Sequence, residues 1–173
     1  MENQEIFLLD ANSFITPYKQ YYAFDLIVPY WDEIIKYINK GRIVVLDMVK
    51  NEIMSGKDEL SKWLKNIDSL NTIPHKEINT VLKYQEVIQY VKNSKLYKES
   101  AFLEWSREEV ADPWIISSAA INNYTIVTLE VSSGSLSDKN PNKRAKIPDV
   151  AKAFGVDTIN LFEMMRRLGI KIE

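Results

Sequence analysis

Four acidic residues sit where strand-like and helix-like runs meet, and residues of this type suit metal-assisted chemistry. Asp10 closes the apolar run EIFLLD, Glu52 lies in MVKNEI, Asp112 opens DPWIISSAAINN and Glu130 closes YTIVTLE. In a parallel α/β sheet the carboxyl ends of the strands share one edge, and ligands bind beyond that edge. The pattern therefore predicts that the four carboxylates gather in one cleft. Clustered carboxylates repel one another unless a cation holds them, and an all-oxygen set suits Mg2+ or Mn2+ over softer metals. The expected chemistry is phosphodiester hydrolysis, in which a metal lowers the pKa of a bound water and offsets charge on the phosphate.

Several neighbours bear on this site. Asn12 is placed to cap a turn or to orient a metal-bound water. Thr128 lies two residues before Glu130, so strand alternation puts both on one face. Asp47 closes the run RIVVLD and reads as the N-cap of the next helix, in competition with Glu52. The Asp112–Pro113 pair reads as N-cap and first helical residue, a role compatible with ligation because a carboxylate has several lone pairs. Asp149, in KIPDV, is an auxiliary candidate that also reads as a helix cap. The polar stretch VSSGSLSDKNPNKRAKIP is the longest loop and carries Lys139, Lys143, Arg144 and Lys146, either a phosphate-contacting set or a solvated surface.

Composition removes several other chemistries. The 173 residues contain no cysteine and one histidine, so disulfide scaffolds, thiolate metal sites and histidine-based triads are excluded. His75 follows Pro74 and reads as a loop residue. The formal net charge of −2 gives no global field for nucleic acid. No apolar run reaches bilayer-spanning length, and the expected location is the cytoplasm.

The elements that must position these residues alternate. Strands are expected at EIFLLD, RIVVLD, YTIVTLE and VDTIN. Helices are expected across the second half of DLIVPYWDEIIKYINKG and across MVKNEIMSG, KDELSKWLKNIDSL, EINTVLKYQEVIQYVKNS, SAFLEWSREEV, DPWIISSAAINN, DVAKAFG and LFEMMRRLG, while ANSFITPYKQYYAF reads as a connection. In the fourth helix Ile78, Val81, Leu82, Ile88 and Val91 form the expected apolar stripe. The fold expected is a single-domain three-layer α/β/α sandwich over residues 1–173, with a mostly parallel central sheet of about four to five strands.

The segments FLLDANSFI, LDMVKNEI, ADPWIISSA and IVTLE together resemble the PIN-domain nucleases, which include VapC-type toxins of toxin–antitoxin pairs. The final glutamate, where aspartate is commoner, and the extra helix before Asp112 mark a divergent PIN-like branch. The resemblance implies a Mg2+- or Mn2+-dependent endoribonuclease with Asp10, Glu52, Asp112 and Glu130 as metal-binding and catalytic acids. It also implies an RNA substrate, an antitoxin protein as partner, and a homodimer. The non-enzymatic alternative is a PIN-like module that binds RNA or protein without cleavage. An aspartyl phosphotransferase would show a second aspartate two residues after the first, where this chain has Asn12.

Overall fold

The computed structural model describes residues 4–172. Its centre is a five-stranded, all-parallel sheet flanked by helices. In chain order the strands are β1 (Phe7–Leu9), β2 (Ile43–Leu46), β3 (Thr72–Ile73), β4 (Thr125–Val127) and β5 (Thr158–Ile159). The helices are α1 (Asn12–Thr16), α2 (Val28–Asn39), α3 (Asp47–Ser55), α4 (Glu59–Lys65), α5 (Ile78–Asn93), α6 (Glu99–Trp105), α7 (Asp112–Asn122), α8 (Ile147–Ala153) and α9 (Leu161–Leu168).

Sheet order is β3-β2-β1-β4-β5, with Phe7 in register with Ile43 on one side and Thr125 on the other. The chain leaves β1 toward β2 and β3, and later returns to β1's other flank as β4. The topological switch point therefore lies between β1 and β4, where an open α/β sheet forms its crevice. β1, β2 and β4 are short apolar runs buried along their whole length, as expected of parallel strands covered on both faces. Each buried Phe, Leu or Ile there contributes about 1.5–3 kcal/mol of transfer free energy.

The described contacts divide the chain into two compact units. Among the described residues the first comprises 4–74, 125–129 and 159–172 and holds β1 to β4. Helices α2 and α3 pack on β2. Gly41 ends α2 with φ at +67°, the left-handed turn that glycine makes without strain. Aromatic rings fill out this core: Phe24 stacks on Trp31 at 4.3 Å and Tyr22 on Tyr30 at 4.1 Å. The Trp31 indole donates to the Tyr22 carbonyl at 2.7 Å.

The second unit comprises residues 75–124 and 130–158. Helix α7 is buried from Pro113 through Ala119, as its nearly unbroken apolar sequence requires, and packs on α5 and α8. Trp114 stacks on Tyr84 at 3.8 Å, with His75 edge-on at 5.0 Å.

The fold departs from the sequence reading in several of its elements. The stretch read as a connection contains α1 and a π-helical turn at Pro17–Tyr21. The edge strand β3 was not anticipated. β4 stops at Val127, so Thr128 and Glu130 lie past the strand and strand alternation does not relate them. In α5 the buried residues are Thr80, Val87, Ile88 and Val91, whereas Ile78 is 79% and Leu82 55% exposed. No helix among the described residues is long and apolar enough to cross a membrane.

Candidate active site

At the switch point of the first unit, a polar knot ties the end of β1 to the end of β4. The Asp10 backbone N–H continues the ladder by donating to the Val127 carbonyl at 3.0 Å. This turns Asp10 out of the apolar run, yet leaves the residue only 8% exposed. Its Oδ1 accepts from the Ala11 N–H at 2.7 Å. Its Oδ2 accepts from the Asn12 amide at 2.6 Å and from the Thr128 hydroxyl at 2.9 Å. Thr128 Oγ1 in turn accepts from the same amide at 3.2 Å, and Asn12 Oδ1 accepts the Leu129 N–H at 2.9 Å. Three donors around one carboxylate suit its ionised, acceptor-only form and fix its plane.

The structure thus brings Asp10, Asn12 and Thr128 together. Ser13 was missed: it is fully buried, and its hydroxyl donates to the Val127 carbonyl at 2.9 Å. The available signal was a small polar residue three positions after Asp10, inside an otherwise apolar segment.

Glu52 lies on α3, whose core face is Val49 and Ile53. Its side chain reaches solvent, but surrounding protein still strips enough water to push its pKa above the usual carboxylate range. Asp47 is the first residue of α3, one position inside the expected cap, and its Oδ1 accepts from the Met48 N–H at 2.7 Å.

The other acids belong to the second unit. Asp112 is the first residue of α7; Ala111 holds the cap position, one residue earlier than expected. Its charge therefore sits in the first helical turn, favourably placed toward the helix dipole. Glu130 Oε1 pairs with Lys146 Nζ at 3.0 Å, and Oε2 accepts the Ile147 N–H at 2.8 Å, capping α8 from a distance. A proposed metal ligand and a proposed phosphate contact are thus joined to each other.

Asp149 does not cap α8. It accepts from the Ser132 hydroxyl, and from the Ser133 N–H and hydroxyl at 3.0 and 2.5 Å. Burial alone would raise the Asp149 pKa. The Ser132 and Ser133 hydrogen bonds, helped by the Lys146 charge, outweigh it and hold the carboxyl below its usual range. Lys139, Lys143 and Arg144 are exposed.

The oxygen chemistry at Asp10 fits a hard divalent cation. Among the described residues no group of three or more His, Asp or Glu side chains is gathered closely enough to cage a metal ion. A cation at Asp10 would therefore follow the Mg2+ pattern, one or two carboxylates with waters completing the shell.

The family described as "Domain of unknown function (DUF4411)" matches residues 7–172, and the chain belongs to it. The fold is PIN-like. It is similar to the crystal structure of VapBC2 from Rickettsia felis bound to a DNA fragment from their promoter, at TM-score 0.53 and 14% identity, over 90% of this chain and 98% of that one. No curated protein shows significant sequence similarity.

Proposed function

We propose that this member of the DUF4411 family is a metal-dependent ribonuclease, acting as the toxin of a toxin–antitoxin pair. The observation that carries the proposal is the Asp10 carboxylate, held by Asn12 and Thr128 at the switch point of a parallel sheet. The likeness in fold to a PIN-domain toxin–antitoxin structure supports it.

Asp10 would hold Mg2+ or Mn2+, which when bound supplies a water of lowered pKa and offsets charge on the scissile phosphate. Asn12 and Thr128 lock the Asp10 carboxylate in one plane, so no rotamer search precedes metal capture. Ser13 fastens the turn after β1 to β4 and keeps that plane aligned with the strand ends. Glu52, its pKa raised by partial desolvation, holds a proton closer to neutral pH than an ordinary glutamate and suits general acid–base work at its carboxyl. Asp112 is proposed as a further acid of the reaction on its sequence pattern. Glu130 secures the base of the basic loop through Lys146 and Ile147, and is proposed as a further acid of the site on its sequence pattern.

The decisive experiment is cleavage of a labelled RNA by purified protein with Mn2+. Wild type should cleave, a chelator should abolish cleavage, and Asp10→Asn or Asp112→Asn should abolish it while preserving the fold. Undiminished cleavage by both variants would remove the proposed site. Metal-independent RNA binding without cleavage would favour the binding-module reading. The antitoxin is tested by growth arrest on expression and its relief by the neighbouring reading frame, and the proposed homodimer by sedimentation.

A further inference from the structure

Within the second unit, the basic loop is fastened to the turn between α5 and α6. The Lys98 N–H donates to the Asn142 carbonyl at 2.8 Å, and the Asn142 N–H donates to the Leu96 carbonyl at 2.8 Å. The Ser100 hydroxyl adds a bond to the Lys143 carbonyl at 2.9 Å. Tyr97 and Asn142 form a parallel bridge at the centre of this seam. At its other end the loop is held by Asp149 through Ser132 and Ser133, and by Glu130 through Lys146 and Ile147.

The seam places Lys95 and Lys98 beside Lys143 and Arg144, with Lys139 on the adjoining turn that Ser137 and Asn140 close. All five side chains are exposed, and among the described residues none makes an ion pair. Elsewhere in this unit Lys76 pairs with Glu108 and Lys83 with Glu86. Only Glu99 and Asp138 lie in the same two segments as the five. In a chain of net charge −2, this is a local concentration of positive charge on backbone that hydrogen bonds hold in place.

We infer that Lys95, Lys98, Lys139, Lys143 and Arg144 form one phosphate-binding track for a single-stranded RNA, built jointly by the α5–α6 turn and the basic loop. The choice of RNA as the polyanion rests on the ribonuclease reading. Lys95 and Lys98 enter the track through the Asn142 seam, although they are more than 40 residues from Asn142 in sequence. Lys146 is left out because it pairs with Glu130. Fixed cations track a strand's backbone without reading its bases, so binding should be sequence-tolerant and strongly salt-dependent.

The test is fluorescence anisotropy of a labelled oligouridylate, titrated with full-length protein in chelator across a range of salt. For a single strand each phosphate-contacting cation contributes about 0.7 to the slope of log affinity against log salt. Replacing Lys95 and Lys98 together by Gln should lower that slope by about 1.4, as should replacing Lys143 and Arg144. Lys40→Gln, in the first unit, should leave it unchanged. Mn2+-dependent hydrolysis of bis(p-nitrophenyl) phosphate, a diester too small to need the track, should survive in the track variants. The same slope and affinity in the Lys95/Lys98 variant as in wild type would overturn the track. So would a wild type that does not bind oligouridylate, which would turn the patch toward an acidic protein partner. Absence of Mn2+-dependent hydrolysis in the wild type would count against the ribonuclease, while the anisotropy would still decide the track.

Discussion

The Thr128 hydroxyl donates to Asp10 Oδ2 at 2.9 Å and accepts from the Asn12 amide at 3.2 Å, so one buried hydroxyl links the ends of β1 and β4. A serine can keep both bonds, whereas a valine of the same shape keeps neither. Thr128→Val should therefore cost about 1.5–3 kcal/mol, the range for a hydrogen bond to a charged group. It should also weaken Mn2+ uptake. Thr128→Ser should keep most of both. Thermal denaturation with and without Mn2+ reads the two effects; equal melting temperatures for Val and wild type would show that the hydroxyl does not hold Asp10.

Glu130 acts as a cap supplied from outside its helix. Glu130→Ala leaves the Ile147 N–H without its acceptor and Lys146 without its partner. The expected loss is about 0.5–2 kcal/mol, the range for a lost N-cap. Amide hydrogen exchange should speed up at Ile147 and through the basic loop, and not in β1. Unchanged exchange at Ile147 would contradict the capping role.

Asp149 carries a pH signature. Its pKa in the folded chain is held below the ordinary 3.8, mainly by Ser132 and Ser133 acting against burial. A depressed folded pKa gives stability that is present above the unfolded value and lost as pH falls through the folded one. Wild type should therefore lose this contribution below about pH 4. Asp149→Asn should be less stable than wild type at neutral pH, and the difference should shrink in acid. Urea unfolding across pH measures it; a difference independent of pH would mean that the charge is not what the serines hold.

Glu52 has the opposite sign. Partial desolvation raises its folded pKa, so the folded state favours the protonated form, and stability from this group falls as pH rises through that pKa. Glu52→Gln should therefore not destabilise the protein at neutral pH, and should slow cleavage if Glu52 handles a proton there. A variant with full activity across the pH profile would remove Glu52 from the mechanism.

How much of this was legible in the chain depends on length and separation. β1, β2 and β4 were visible because a buried parallel strand reads as an unbroken apolar run. β3 escaped because Thr72–Ile73 is two residues long and Pro74 follows at once. Helix α1 escaped because Pro17 reads as a break, although here it opens a π-helical turn. The α5 stripe was misplaced because Ile78 and Leu82 share helical spacing with Ile88 and Val91. The polar Thr80, fully buried, faces the core instead.

The site follows the same logic. Asp10 could be placed because strand ends in a parallel sheet share one edge, and Asn12 because it follows Asp10 closely; Thr128 was singled out by an alternation with Glu130 that does not hold, since β4 ends at Val127. The pairing of Glu130 with Lys146, and the seam joining Lys98 to Asn142, depend on how a long loop closes, which no local spacing encodes.

The central claim is that Asp10 holds a hard divalent cation. Isothermal titration of Mn2+ into the purified protein tests it most directly. Wild type should take up Mn2+, and folded Asp10→Asn should lose that uptake. Wild type that takes up no Mn2+, or an Asp10→Asn variant that binds as tightly as wild type, would contradict the claim.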